Sequence, residues 1–270
     1  VKKAIVESLK RRHRTDWFAE TGGAHPVEVS IVRDQVTLAL DTSGSGLHKR
    51  GYRTSMGAAP LKETLAAALL QLSYWKAGRP LIDPFCGTGT IAIEAALAGR
   101  DMAPGSGRTF AAEAWGWIGT DVWRRARSEA NDRVRPGLDL RIVATDVDRR
   151  ALGQARQHAR AAGVAEDIHF QQQSVAELRT PHRYGCVVCN PPYGVRLGAS
   201  SEVEKTYAEM ARAFAPLDTW SIYVLTSHPR REPLLDRKAT RRRKLYNGGI
   251  ECTYYQFAGP RPPVKPCREG

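Results

Sequence analysis

The 270-residue sequence has no uninterrupted apolar stretch approaching the ~18 residues a membrane helix needs. Its first residues, VKKAIVESLKRRHR, are charged throughout and hold no apolar secretory core. Both absences lead to the expectation of a cytoplasmic protein with no membrane partner. Cysteine is sparse, with five residues scattered along the chain, an odd number. Only Cys186 and Cys189 make a CxxC, and no second CxxC or His pair completes a zinc set, so no metal is expected. The pair lies in an apolar, strand-like run, where positions three apart face opposite ways, so both read as small buried hydrophobes in a reducing compartment. Internal repeats and long low-complexity regions are also missing. Acidic residues are in deficit: 28 Asp and Glu against 41 Lys and Arg, a formal net charge of +13 and a pI near 9.8. The excess gathers in KRRHR (10–14), HKRGYR (48–53) and SHPRREPLLDRKATRRRK (227–244). Such stretches attract polyanions, nucleic acid first among them, although Arg spread over solvated faces is the plainer alternative.

What is present is ordinary for a globular chain, with 42% apolar and 26% charged residues. The first twelve residues place Val1, Ile5, Val6 and Leu9 on one helical face. A Gly-Gly turn at 22–23 follows, then VEVSIVRD and QVTLAL, which alternate as strands do, with Asp34-Gln35 as the hairpin turn. This helix–strand–strand piece is too small to hold a core alone. It begins on Val and reads as the end of a domain whose start lies outside the sequence. The Gly- and Ser-rich stretch 41–60 reads as a junction. Strands and helices then alternate: RPLIDPFC, TIAIEAALAGR, LRIVATDVD, RRALGQARQHARAAG, IHFQQQ, RYGCVVCN, EVEKTYAEMARAFA and WSIYVLTSH, with KATRRRKLYN and IECTYYQF as a last pair of strands. The Trp-bearing segment before the LRIVATDVD strand is helical in its later part. Repeated βα units predict a mostly parallel sheet with helices on both faces.

The strand LID runs into PFCGTGT and then a helix. Gly87 and Gly89 permit a tight turn against a ligand, and the helix N-terminus offers free N–H groups. A phosphate loop would need Gly-Lys-Ser/Thr, which is absent. A dinucleotide fingerprint lacks its third glycine, with Ala92 in that place. S-adenosylmethionine also suits the turn: it has an amino-acid end and a ribose but no phosphate, and Asp83 stands at the strand end to meet an amino group. A ligand-free structural turn is the remaining alternative. Asp146 ends another strand, at the rim where open α/β sheets bind ligands, and can accept both hydroxyls of a ribose. It serves NAD and S-adenosylmethionine equally. Asp148 reads as a helix N-cap.

The run CVVC ends on Asn190-Pro191-Pro192-Tyr193. Two prolines stop a sheet and hold the chain extended. Asn190 Oδ1 and the Pro191 carbonyl make two acceptors for one planar –NH₂ group, and Tyr193 is a ring on which a flat partner stacks. The set fits an exocyclic base amine or a side-chain amide, held and aimed at an electrophile. The plain alternative is a Pro-rich loop after a buried strand.

DPFCGTGTIAIEAA with NPPYG resembles the class I, Rossmann-like methyltransferases that use S-adenosylmethionine and modify amino nitrogens. DTSGSGLHKRGYR, APLKETLAAALL, APGSGRTF and KLYNGGIECTYYQF are similar to the THUMP-domain RNA methyltransferases, over roughly residues 1–258. The resemblance implies N2-methylguanosine formation in ribosomal or transfer RNA. It implies three parts: residues 1–45 as the C-terminal portion of a THUMP RNA-binding domain, 46–258 as the α/β methyltransferase domain, and 259–270 as an irregular tail. It places Asp83, Cys86, Gly87, Thr88 and Gly89 around the methionine end of the cofactor, and Asp146 at its ribose. Leu61 and Glu63 lie near the methionine carboxylate in this reading. Asn190, Pro191, Pro192 and Tyr193 hold the target base. Ser174 stands where the family usually has an acidic residue facing the adenine amine. Arg11, Arg12, Arg241, Arg242, Arg243 and Lys244 are the expected phosphate contacts. Two rivals stay open: adenine-N6 methylation of DNA or RNA, and a non-catalytic RNA-binding protein on a methyltransferase scaffold.

Overall fold

In the computed structural model, the described residues are 1–19, 21–53, 61–192, 200–228 and 238–263. The chain divides into two compact units, and the division is not a single cut. One unit is Val1–Leu47 with Arg108–Glu129, and the other is His48–Gly107 with Ala130–Gly270.

The first unit holds α1 (Lys2–His13), β1 (Val27–Val32) and β2 (Gln35–Leu40), the two strands paired antiparallel. Their register pairs Val32 with Gln35, so the turn is Arg33-Asp34, one residue earlier than expected. Both turn residues have positive φ, 49° and 61°, the conformation that matches a two-residue loop to strand twist. None of the α1 residues is buried, so the face with Val1, Ile5, Val6 and Leu9 is not a core face here. The segment Arg108–Glu129 joins this unit through specific bonds. The Ala112 N–H donates to the Thr42 carbonyl, and the buried Trp115 indole donates to the Ala24 carbonyl at 2.8 Å. Such pairings between distant segments leave no periodic trace in sequence.

The second unit is built on a seven-stranded sheet ordered β5-β4-β3-β6-β7-β9-β8. Its strands are β3 (Leu81–Asp83), β4 (Ile142–Asp146), β5 (Ile168–Gln172), β6 (Cys186–Cys189), β7 (Ser221–Thr226), β8 (Arg241–Asn247) and β9 (Ile250–Phe257). The first five are parallel, and β9 and β8 close the edge antiparallel. This is the mostly parallel α/β sheet that the alternating strands and helices predict. β6 is buried at all four positions and β7 at all six, as strands covered on both faces must be. On one face, α2 (Glu63–Gln71), α3 (Thr90–Gly99) and α5 (Arg149–Ala161) pack with Leu81, Ile142, Cys186 and Val188. On the other, α6 (Ser200–Phe214) lays Val203, Tyr207, Met210 and Phe214 against Val187, Cys189 and Ile222. Cys186 and Cys189 thus face opposite layers, and both are free thiols. Full burial of a Leu, Ile, Val, Met or Phe side chain in these layers contributes roughly 1.5–3 kcal/mol. Among the described residues no helix is long and apolar enough to cross a membrane.

Trp220 anchors the sheet's lower rim. It is 1% exposed, and its indole N–H donates to the His182 carbonyl at 3.0 Å. Gly185 leaves room for it: a Cβ there would stand 2.4 Å from the indole ring. We therefore expect Gly185→Ala to cost about 1–3 kcal/mol through overpacking, read as a lower denaturation midpoint with an unchanged slope. An unaltered midpoint would show that the ring relaxes freely.

Candidate active site

The parallel strands set three strand ends at defined heights. Asp83 pairs with Ala144, two residues short of Asp146, while Leu81 pairs with Cys186, four short of Asn190. Asp146 and Asn190 therefore both stand about two residues, roughly 7 Å, above Asp83. Between them the chain leaves β3 through Pro84–Gly89 and enters α3. Gly87 and Gly89 take φ of 50° and 84°. At Gly89 a side chain is strained by φ and crowded by the Cβ of Ala155 at 3.0 Å.

The turn is fastened to the neighbouring strand. The Gly87 N–H donates to Asp146 Oδ2 at 2.8 Å, and the Cys86 N–H donates to the Thr145 carbonyl at 3.0 Å. The other oxygen of Asp146 accepts the Asp148 N–H at 2.9 Å. Asp148 caps α5 as expected, accepting from the Arg150 and Ala151 N–H groups. Below the turn, buried His158 donates Nδ1–H to the Thr88 carbonyl at 3.3 Å, and burial lowers the imidazole pKa.

A cavity of about 580 Å³ opens above this floor. Of the residues named from the sequence, Leu61, Cys86, Gly87, Thr88, Asp146, Ser174, Asn190 and Pro192 line it. Asp83, Glu63, Gly89 and Pro191 do not. Asp83 is 1% exposed beneath the turn, and its Oδ1 accepts the Phe85 N–H at 3.2 Å. Glu63 is buried on the first turn of α2 and faces Arg53 at 3.4 Å. Ser174 caps a short helical turn, its Oγ accepting the Ala176 N–H, which leaves its own hydrogen to donate. Tyr193 lies outside the described residues.

The wall also contains groups that sequence reasoning did not name. Val147 follows the end of β4, Arg150, Ala151 and Gln154 come from α5, and Thr206 and Glu209 come from α6. Their only trace was helical spacing: Arg150 and Gln154 are i, i+4, Thr206 and Glu209 are i, i+3, each pair beside the buried stripe of its helix. The cavity joins a hydroxyl-accepting carboxylate, a helix N-terminus and an amide at one rim. A ligand with a ribose and an acidic end fits its donors and acceptors.

The basic residues are disposed unevenly. Arg11 and Arg12 are exposed on α1 in the first unit. On β8, Arg241, Arg242 and Lys244 are exposed, whereas Arg243 is half-buried with its Nε unpartnered among the described residues. Lys244 pairs with Glu251 at 2.7 Å. The stretch 48–53 turns inward: Arg50 meets buried Glu94 and Arg53 meets buried Glu63. Among the described residues no group of His, Cys, Asp or Glu is arranged to hold a metal ion.

Comparison with known proteins accords with this geometry. Residues 50–256 match the family model described as RMKL-like, methyltransferase domain (UPF0020). A Bacillus subtilis (strain 168) protein named "Putative RNA methyltransferase YpsC" is 51% identical over 259 residues, spanning 95% of this chain and 67% of the relative. A crystal structure from Listeria monocytogenes, titled as that of a "predicted N6-adenine-specific DNA methylase", is 47% identical with a TM-score of 0.89, over 96% of this chain and 67% of that one. A crystal structure titled as that of "SMU.472, a putative methyltransferase complexed with SAH" is 41% identical with a TM-score of 0.89, over 98% and 70% of the two chains.

Burial pushes the Asp83 carboxyl up from 3.8 to about 8, with the Asp146 charge adding to the effect and the Phe85 N–H opposing it. The folded chain then keeps a proton that the unfolded chain releases, so stability falls as pH rises from about 4 to about 8. Asp83→Asn keeps the shape and removes this titration. The melting temperature of the parent chain should drop more steeply between pH 5 and pH 8 than that of the variant. Parallel profiles would mean that Asp83 ionises freely.

Proposed function

The chain belongs to the RMKL-like methyltransferase family, and from that premise we propose that it methylates an exocyclic amine of an RNA base, guanine N2 in ribosomal or transfer RNA, with S-adenosylmethionine as donor. The observation that carries this reading is one cavity bounded by the Gly-rich turn, Asp146, Asn190 and Pro192. When bound, the cofactor supplies an electrophilic methyl group on a sulfonium.

Each part of the wall then has a task. Asp146 accepts the ribose hydroxyls on lone pairs its two backbone bonds leave free. Val147 and Val175, both on the wall, give an apolar bed for the adenine, and Ser174 donates to its edge. The amino-acid end meets the turn and the N-terminus of α3. Asp83 sits beneath, protonated in the unliganded chain, and an ammonium above it draws its carboxyl into the ionised form. Asn190 Oδ1, on the cavity wall, accepts from the target –NH₂ and aims its nitrogen at the methyl, while Pro191, expected to supply a second acceptor, does not line the wall. As the N–C bond would form and the S–CH₃ bond break, leaving a thioether, the nitrogen's developing positive charge faces Asn190 Oδ1 and its acidified proton passes to solvent, so holding the amine in line lowers the barrier without a strong base. Tyr193 would stack on the extruded base.

We propose residues 1–45 as the C-terminal part of a THUMP domain, with Arg11 and Arg12 as candidates for phosphate contact, as Arg241, Arg242 and Lys244 are on β8. We place Arg243 below these in importance because it is half-buried. A second reading, adenine N6 as target, is favoured by the name of the Listeria relative. Both bases present a planar amine, which Asn-Pro-Pro alone does not tell apart. An intact cofactor cavity weighs against a purely RNA-binding scaffold.

Incubating the protein with isotopically labelled S-adenosylmethionine and separated ribosomal and transfer RNA, followed by mass spectrometry of nucleosides, should yield labelled N2-methylguanosine. Labelled N6-methyladenosine without N2-methylguanosine would move the target to adenine. Asn190→Ala should lower turnover about 100-fold or more while calorimetry finds S-adenosylhomocysteine binding intact. Unimpaired turnover would remove Asn190 from the catalytic set.

A further inference from the structure

Arg53 stands just outside the cavity, yet one of its nitrogens governs two groups on the cavity wall. Nη2 donates to the Leu61 carbonyl at 3.1 Å and to Thr90 Oγ1 at 2.7 Å. Leu61 and Thr90 both line the cavity. A guanidinium only donates and stays protonated at any working pH, so at this contact the Thr90 hydroxyl must accept. Its single hydrogen is left to point elsewhere. Among the described residues no hydrogen bond takes it up, although Thr90 is only 5% exposed.

The guanidinium is itself held in place. Its Nε lies 3.4 Å from Glu63 Oε1, an ion pair without a directed hydrogen bond, and Glu63 is 3% exposed. Alongside, Arg50 and the Tyr52 hydroxyl bind Glu94 on α3. The segment 50–53 is thus clamped to α2 and α3 by two buried carboxylates. Two consequences follow for the wall. The Leu61 carbonyl is turned toward Arg53, which draws a lone pair away from the cavity. Thr90 is presented as a donor at the first residue of the ten-residue α3, where the helix dipole already favours an anion.

We propose that Arg53 is a positioning residue that fixes the Thr90 hydroxyl as hydrogen-bond donor to the α-carboxylate of the bound cofactor. The proposal rests on the S-adenosylmethionine reading given above. The sheet order supports the placement. Ser174 follows β5, Asp146 ends β4, and the turn follows β3, in that spatial order. A molecule with its ribose at Asp146 and its base toward Ser174 directs its amino-acid end to Leu61, Cys86 and Thr90. Lysine would not replace arginine, because one ammonium does not reach Glu63, the Leu61 carbonyl and Thr90 in the same fixed plane.

The test compares two ligands by calorimetry. S-adenosylhomocysteine has the carboxylate, and 5′-methylthioadenosine keeps the adenine, ribose and sulfur but lacks the amino-acid end. Arg53→Met should weaken S-adenosylhomocysteine about 10- to 100-fold, the range expected for hydrogen bonds to a charged group, and leave 5′-methylthioadenosine unchanged. Arg53→Lys should remain weak. Thr90→Val, which keeps the volume, should reproduce the loss, Thr90→Ser should restore binding, and Arg53→Met with Thr90→Val should be no weaker than either alone. Equal weakening of both ligands in Arg53→Met, or unimpaired S-adenosylhomocysteine binding in Thr90→Val, overturns the proposal. If Arg53→Met does not fold, the Thr90 pair decides. Failure of the parent protein to bind either ligand would sink the cofactor reading, and this proposal with it.

Discussion

The site hangs on the carboxylate of Asp146. One of its oxygens takes the Gly87 N–H and the other takes the Asp148 N–H. The first bond ties the Gly-rich turn after β3 to the end of β4, and the second starts the loop that becomes α5. Hydrogen bonds to an ionised acceptor are roughly twice as strong as neutral ones, and here one group fixes two backbones. The Cys86 N–H on the Thr145 carbonyl completes the stitch. The floor of the cavity, from Cys86 to Thr90, and its flank, from Val147 to Gln154, therefore keep a set distance.

A second constraint is the placement of buried charge. Taking an ion out of water costs several kcal/mol unless partners replace the solvent. Glu63 and Glu94 are buried with such partners in Arg53 and Arg50, and both arginines come from a stretch that looks in sequence like a basic surface. Asp83, by contrast, is buried beside a second carboxylate and is spared the cost by keeping its proton. Opposite solutions to one penalty thus lie on either side of the turn. One gives a rigid wall and the other a group whose charge is free to respond to what binds above it.

The two basic ends of the chain divide for a related reason. β8 is an edge strand, so alternate residues point to opposite faces. Arg242 and Lys244 share the face of Tyr246, while Arg243, in register with Tyr254, takes the opposite face and is half-buried. A run of four cations in sequence is therefore not one patch in space.

Local chemistry was legible from the residues alone. Gly87 and Gly89 need a turn that no side chain tolerates, Asp148 caps a helix whose first N–H groups it satisfies, and the prolines after Asn190 end a strand whatever surrounds them. The alternation of strands and helices was equally plain, since a sheet buried on both faces demands unbroken apolar runs. Contacts across the sheet left no such mark. That Asp83 lies under the turn and not in the cavity follows from the β3–β4 register, and Gln154, Thr206 and Glu209 reach the wall through the packing of α5 and α6. The inclusion of Arg108–Glu129 in the first unit, and the engagement of Arg53 with Thr90, depend on segments 37 or more residues apart meeting in space. The elements and the residues at their ends follow from local order along the chain, because backbone sterics and hydrogen-bond satisfaction act over a few residues. Which of those ends share a cavity is settled by the folded chain alone, because that depends on register and on which buried charges find each other.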